Sequence, residues 1–171
     1  MGLLRRLLVG ALGSLTLVGV GTIGVAAHEG GTLVEFHSMT PVTGSAVGVV
    51  NDRGIKGGGL PWVITSGRGE VDREGHLSVT VKGLIIVVPP VSGKNPVATF
   101  SATVSCLTPK GIVNVTTGSF PASTTGDATI NTKVVLPRRC HDPEVFVGTT
   151  NATTGAFAWF AESNVNFEER D

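Results

Sequence analysis

Beyond the first thirty residues, apolar and polar side chains alternate with a period of two, which is the pattern of strands that bury one face. The clearest alternation runs over residues 98–106. Ser and Thr occupy one face of this segment, and the other face carries Ala98, Phe100, Ala102, Val104 and Cys106. The pattern predicts a half-buried antiparallel strand that places Cys106 in the core.

A second alternating pair, 67–71 and 77–82, flanks Asp72-Arg73-Glu74-Gly75, whose composition is typical of a hairpin turn. Breaks that contain Gly, Pro or Asn separate further short apolar or alternating runs. These runs predict strands at 32–38, 45–50, 61–65, 84–88, 112–116, 128–136, 144–148 and 156–161.

About nine or ten short strands, with no helical stripe after the first 27 residues, predict an all-β fold. The expected architecture is a single antiparallel β-sandwich, Ig-like or jelly-roll-like. A flattened barrel is the alternative packing, and the strand order does not follow from the sequence.

Residues 1–27 have the features of an export segment. Arg5 and Arg6 precede an uncharged run that ends in Val25-Ala26-Ala27, a small-residue cleavage site. A leader rich in Gly, Val and Ala is typical of bacteria. The sequence predicts a signal peptide over 1–27, a single domain over 28–171 and a secreted or cell-surface protein with no membrane span after cleavage. The alternative is an uncleaved N-terminal membrane anchor, since the run is about 20 residues long.

The composition is that of a folded domain, with 41% hydrophobic and only 15% charged residues, and with a formal net charge of zero. Charges are scattered singly, apart from a short acidic C-terminal tail at 167–171 that is expected in solvent. Because no basic stripe is present, nucleic acid is not expected as a partner.

Cys106 and Cys140 are the only two cysteines. In an exported chain two cysteines usually pair. The alternatives are a metal pair or a free nucleophile, but neither cysteine shows the spacing of metal ligands. We therefore predict one disulfide, which closes a loop of about 35 residues and stabilises the fold by about 4 kcal/mol in the chain-entropy treatment.

No motif for catalysis stands out. Gly-x-Ser-x-Gly is absent, and Gly57-Gly58-Gly59 is not followed by the Lys and Ser or Thr of a phosphate loop. Glu70, Asp72 and Glu74 cluster at a turn, where solvated carboxylates are normal. A non-catalytic protein without a cofactor is therefore favoured over an enzyme.

Cleavage after Ala27 would make His28 the N-terminal residue, so that its α-amino group and imidazole could chelate a metal together. A β-sandwich with an N-terminal histidine resembles the lytic polysaccharide monooxygenases and some periplasmic copper carriers, which hold copper in a histidine brace. The resemblance implies copper at His28. His37 is the expected second ligand, and His76 and His141 are alternatives.

Trp62, which follows the glycine triplet, is expected to be a core or rim anchor, and the alternative is an exposed Trp62 that marks a binding surface. The sequence favours a secreted or surface binding, adhesion or envelope-associated module, whose partner is a cell-envelope or matrix component. The alternative function is a secreted copper-binding protein, carrier or oxidase, that uses His28.

Overall fold

The computed structural model describes residues 31–164, and thirteen strands account for most of their regular structure. Their bounds are β1 (Thr32–Phe36), β2 (Met39–Pro41), β3 (Lys56–Gly57), β4 (Trp62–Val63), β5 (Ser66–Asp72), β6 (His76–Lys82), β7 (Ile85–Ile86), β8 (Thr99–Thr108), β9 (Gly111–Thr116), β10 (Phe120–Pro121), β11 (Ala128–Lys133), β12 (His141–Thr150) and β13 (Phe157–Ser163). A short 3-10 turn at Gly44–Ala46 is the one helical element in this part of the chain. The prediction of an all-β antiparallel sandwich is confirmed. The strand number exceeds the expected nine or ten because several strands have only two or three residues.

Two sheets form the layers of the sandwich. The smaller sheet has the order β1-β5-β6-β11 and contains the predicted hairpin between β5 and β6. The larger sheet has the order β10-β8-β12-β13-β2, with β9 paired to β8 and β3 paired to β13. The pairing of β3 with β13 is parallel, and every other strand pair in residues 31–164 is antiparallel.

The core lies between the inner faces of the two sheets. Phe36, Val79 and Ile130 from the smaller sheet and Phe100 and Val145 from the larger sheet are all at most 1% exposed. As the period-two pattern predicts, the apolar face of β8 from Phe100 to Cys106 is completely buried. Burial of these side chains is the main driving force for association of the sheets.

The opposite face of β8 departs from the sequence prediction, because Ser101, Thr103 and Ser105 are at most 1% exposed. The hydroxyl groups of Thr103 and Thr116 form a hydrogen bond of 2.8 Å across β8 and β9. The loop before β3 also crosses this face, where Asn114 Nδ2 donates to the carbonyl oxygen of Arg53 (2.9 Å). Ser and Thr are usually solvent-facing, so the alternation predicts a half-buried strand, whereas protein covers β8 on both faces.

The predicted strand at 45–50 is wrong. Gly44 and Gly48 adopt positive φ angles of 54° and 71°, which turn the chain and prevent an extended run. Only Val50 makes an isolated bridge, to Lys56. The apolar residues of this segment instead form part of the loop that crosses the larger sheet.

The predicted disulfide is confirmed: Cys106, in β8, is bonded to Cys140, which directly precedes β12. Their Cα atoms are 4.8 Å apart, within the usual range for a bridge. A search of residues 31–164 finds no helix with the length and apolarity that crossing a membrane requires. The disulfide is compatible with an extracellular location. The predicted signal peptide and acidic tail lie outside the described residues.

Candidate functional site

The ring of Trp62 is part of the core. Its side chain is 2% exposed, it stacks on Phe160 with ring centroids 4.0 Å apart, and it meets the edge of Phe100. The close packing extends to Gly58, where an added Cβ would lie 2.9 Å from Phe160. This corrects the prediction of a binding surface at Trp62, since a buried indole has no face to offer a partner. The sequence could not separate the two readings, because an isolated Trp serves either role.

Only some of the predicted metal ligands lie within the residues that the structure describes. His28 lies outside the described residues. His37 lies between β1 and β2 with its side chain 82% exposed, and its Nε2 atom is 3.7 Å from a carboxylate oxygen of Glu35. Copper binding by His28 and His37 stays a prediction.

The turn between β5 and β6 gathers a second histidine with two carboxylates. Nδ1 of His76 lies 2.6 Å from Asp72 and 3.8 Å from Glu74, so these three side chains offer ligand atoms close to one another. Desolvation acts against ionisation of Asp72, but hydrogen bonds from the side chain and backbone of His76 hold its pKa below the usual value. The arrangement stabilises the turn, because Asp72 also accepts from the backbone N–H of Glu74 (2.9 Å).

Two adjoining clefts lie beside the disulfide, and we call them the basic clefts. The first, of about 770 Å³, is lined by Thr108, Pro109, Lys110, Val113, Pro137, Arg138 and Arg139. The second, of about 210 Å³, shares the last three of these residues and adds Leu33, Arg73, Leu136, Cys140 and His141. Neither lining contains an Asp or a Glu.

The basic clefts are built from segments that the fold fixes in place. The β8–β9 turn carries Lys110 and is closed by a hydrogen bond of 2.7 Å from Thr108 Oγ1 to the carbonyl oxygen of Gly111. The segment with Arg138 and Arg139 is held at one end by the disulfide at Cys140. A backbone hydrogen bond of 2.9 Å from Val134 to Gly75 ties its other end to the β5–β6 turn, beside Arg73.

The four long cationic side chains of the basic clefts lack carboxylate partners. Within residues 31–164, no ion pair involves Arg73, Lys110, Arg138 or Arg139, although all four are exposed. Positive charge is thus concentrated on one surface with nothing in the described chain to neutralise it. Such a surface attracts anions by long-range Coulomb forces that salt screens.

The neighbouring acids are drawn to the outer face of the larger sheet instead. Arg53, whose side chain is 7% exposed, pairs with Asp142 and, through Nε, with Glu144 at 2.9 Å. Burial raises the pKa of Glu144, against the opposing charge of Arg53 and with the repulsion of Asp52 and Asp142. Burial and the charges of Glu144 and Asp52 raise the pKa of Glu162. One guanidinium therefore faces more carboxylates than it neutralises.

No family model, no curated protein and no solved structure matches this chain. The site therefore has to be argued from its own chemistry. Sequence reasoning missed the basic clefts, because their cations come from three separate segments of the chain. The only local signal is the Arg138-Arg139 pair, which next to Pro137 and Cys140 marks a rigid cationic segment.

Proposed function

We propose that this chain is an exported, non-catalytic β-sandwich module that binds an anionic component of the cell envelope or matrix through the basic clefts. One observation carries the proposal: four cationic side chains line two adjoining clefts that contain no carboxylate. A protein whose overall formal charge is zero has no reason in folding to gather cations in this way, since like charges repel.

The clefts also have the rigidity that a binding surface needs. A disulfide, two prolines (Pro109 and Pro137) and a hydrogen-bonded turn hold the backbone from which the cations project. Preorganisation of this kind lowers the entropy that is lost on binding.

Sedimentation with envelope material tests the proposal. The mature protein is incubated with a cell-envelope fraction at about 0.05 M and about 0.5 M salt, and the bound fraction is measured. We expect binding at low salt that falls several-fold at high salt. The variant Arg138→Gln/Arg139→Gln should lose most of this binding.

The matched control is Arg68→Gln/Lys94→Gln, which removes the same charge from two exposed side chains outside the clefts. The control should bind as the parent does. Equal losses of binding in both double variants would show that only the net charge of the protein governs binding. Undiminished binding of Arg138→Gln/Arg139→Gln would refute the clefts as the binding surface.

Copper binding by His28 is the second proposal, and one position in the fold favours it. The carbonyl oxygen of Gly31 accepts a hydrogen bond of 3.1 Å from the backbone of Arg73, in the turn that carries Asp72 and His76. Three residues span at most about 10 Å, so that the amine and imidazole of His28 are within chain reach of this turn. His76 then replaces His37 as the favoured second ligand.

Mass spectrometry under native conditions with one equivalent of Cu(II) tests this second proposal. The protein that begins at His28 should retain one copper ion, and one extra residue before His28 should abolish retention. His76→Gln should weaken binding and His37→Gln should not. Retention by the extended protein would contradict a site built on the terminal amine.

A further inference from the structure

We infer that the ligand of the basic clefts is an acidic polysaccharide, one chain of which runs through both clefts past Arg138 and Arg139. The inference rests on the proposed function and names the partner of the same site. It follows from the layout of the clefts, from their size and from the chemistry of the residues between the cations.

The layout has two subsites and a shared wall. The segment Pro137–Arg139 borders both clefts, with Lys110 on one side and Arg73 on the other. Lys110 belongs to a turn of the larger sheet, whereas Arg73 belongs to a turn of the smaller sheet. A ligand that contacts all four cations must therefore cross the end of the sandwich from one sheet to the other.

The size of the clefts indicates more than a single inorganic anion. The first cleft, of about 770 Å³, falls in the range of sites for whole small molecules, roughly 300–1,000 Å³. A second, smaller cleft continues from it. A single oxyanion would contact one or two of the cations and leave the others unneutralised. A chain with repeated anionic groups neutralises them in succession.

The uncharged residues that line the clefts favour sugar rings over nucleotides as the ligand. Pro109, Val113 and Pro137 line the first cleft together with Lys110 and the two arginines and provide uncharged contacts. Neither lining contains Phe, Tyr or Trp, and His141 in the second cleft offers the one ring on which a base of a single-stranded nucleic acid could stack. A polymer that carries both anionic groups and uncharged rings matches a wall that offers both cationic and uncharged contacts.

Chain length is the decisive variable in the test. Binding of galacturonic acid, its dimer and an oligomer of about eight units is measured by calorimetry at low salt, with a neutral malto-oligosaccharide of equal length as the control. We expect the long oligomer to bind about a hundredfold more tightly than the monosaccharide, because the second cleft is filled intramolecularly. An oligomer of about eight equivalent units binds a single subsite about eightfold more tightly than the monosaccharide for statistical reasons alone.

Single variants then ask whether both clefts hold the same chain. Lys110→Gln alters only the first cleft and Arg73→Gln only the second. Each should weaken the long oligomer by about threefold or more, and Arg68→Gln should not. If only one of the two variants matters, or if the gain with length stays within about eightfold, a single subsite binds and the inference is overturned.

The outcomes separate this inference from the function on which it rests. If the protein binds the envelope fraction and the monosaccharide, but its affinity does not rise with oligomer length, the polysaccharide inference is refuted. The proposed anion-binding function then still stands. Failure of every anion, together with failure of the envelope fraction, would refute both. Tighter binding of a single-stranded DNA oligomer than of the acidic oligosaccharide would assign the clefts to a different polymer.

Discussion

The guanidinium of Arg53 lies beneath the surface of the larger sheet with its Nε atom 2.9 Å from Oε2 of Glu144. Arg53 belongs to the loop before β3, and Glu144 lies in β12. The pair therefore fastens this loop to the sheet. Neither Glu144 nor Asp142, the second carboxylate paired with Arg53, is among the residues that line the basic clefts. Arg53 thus pairs with two of the acids, whereas the four cations at the clefts have no ion-pair partner among residues 31–164.

Replacement of Arg53 should destabilise the fold strongly. Arg53→Met keeps the aliphatic stem but leaves the half-buried Glu144 and Asp142 without their cation. We expect the free energy of unfolding to fall by about 2–4 kcal/mol, as measured by urea denaturation. Arg68→Met, on the exposed side of β5, is the matched control and should change it by less than about 0.5 kcal/mol. Equal effects would contradict the structural role of the Arg53–Glu144 pair.

The raised pKa values of Glu144 and Glu162 predict a specific pH dependence of stability. The folded protein holds these protons more tightly than the unfolded chain. The stabilisation of the fold by these protonated carboxyl groups is therefore fully present below their ordinary pKa of about 4.5. It is lost as the pH rises through the raised pKa of the folded state.

Glu162→Gln removes one of these groups. Relative to the parent protein, this variant should gain stability as the pH rises from about 4 to about 8, because its amide stays neutral when the parent carboxyl ionises. Urea denaturation across this range measures the difference. Glu70→Gln, at an exposed position of β5, is the control. A difference between Glu162→Gln and the parent that does not grow with pH would count against burial as the cause.

The disulfide should contribute both to the stability of the fold and to the affinity of the basic clefts for anions. Cys106→Ala/Cys140→Ala opens a loop with a sequence separation of 34, and the free energy of unfolding should fall by about 3–4 kcal/mol. At temperatures where this variant stays folded, its affinity for anions should also drop, since Arg139 loses its fixed neighbour. Denaturation of the parent protein with and without reductant provides the comparison. A loss of stability below about 1 kcal/mol would contradict this prediction.

Close approach of the backbone to two aromatic rings makes Gly58 sensitive to substitution. A Cβ atom there would lie 2.9 Å from Phe160 and 3.1 Å from Nε1 of Trp62. Gly58→Ala should lower the free energy of unfolding by about 1–3 kcal/mol through overpacking. At the adjacent Gly59 a Cβ would meet nothing within 4 Å, so Gly59→Ala should be nearly neutral. Thermal unfolding of the two variants checks this, and a reversed order would refute the packing around Trp62.

Much of the fold followed from local patterns. Alternation identified the buried face of β8 and the β5–β6 hairpin, because side chains of a strand point alternately to opposite faces whatever the strand later pairs with. Where the pattern failed, a longer-range contact was responsible. Ser105 is buried although it lies on the polar face, since the loop with Arg53 crosses the larger sheet there.

The position of Trp62 likewise depends on a long-range contact that the local sequence does not reveal. Its apolar ring predicts either a core or a binding surface, and only its stacking on Phe160 decides between them. Phe160 lies nearly one hundred residues later in the chain, in β13. No local pattern carries information about a contact at such a separation.

By itself the sequence determined the all-β class, the antiparallel sandwich and the pairing of the two cysteines, since each depends on residue type and short-range periodicity. The basic clefts were decided by the tertiary structure alone. Arg73, Lys110 and the Arg138-Arg139 pair are isolated charges along the chain, and strand order and the disulfide bring them to one end of the sandwich. Charge acts through space rather than along the chain, so a neutral sequence with scattered charges can still fold into a protein with a strongly cationic surface.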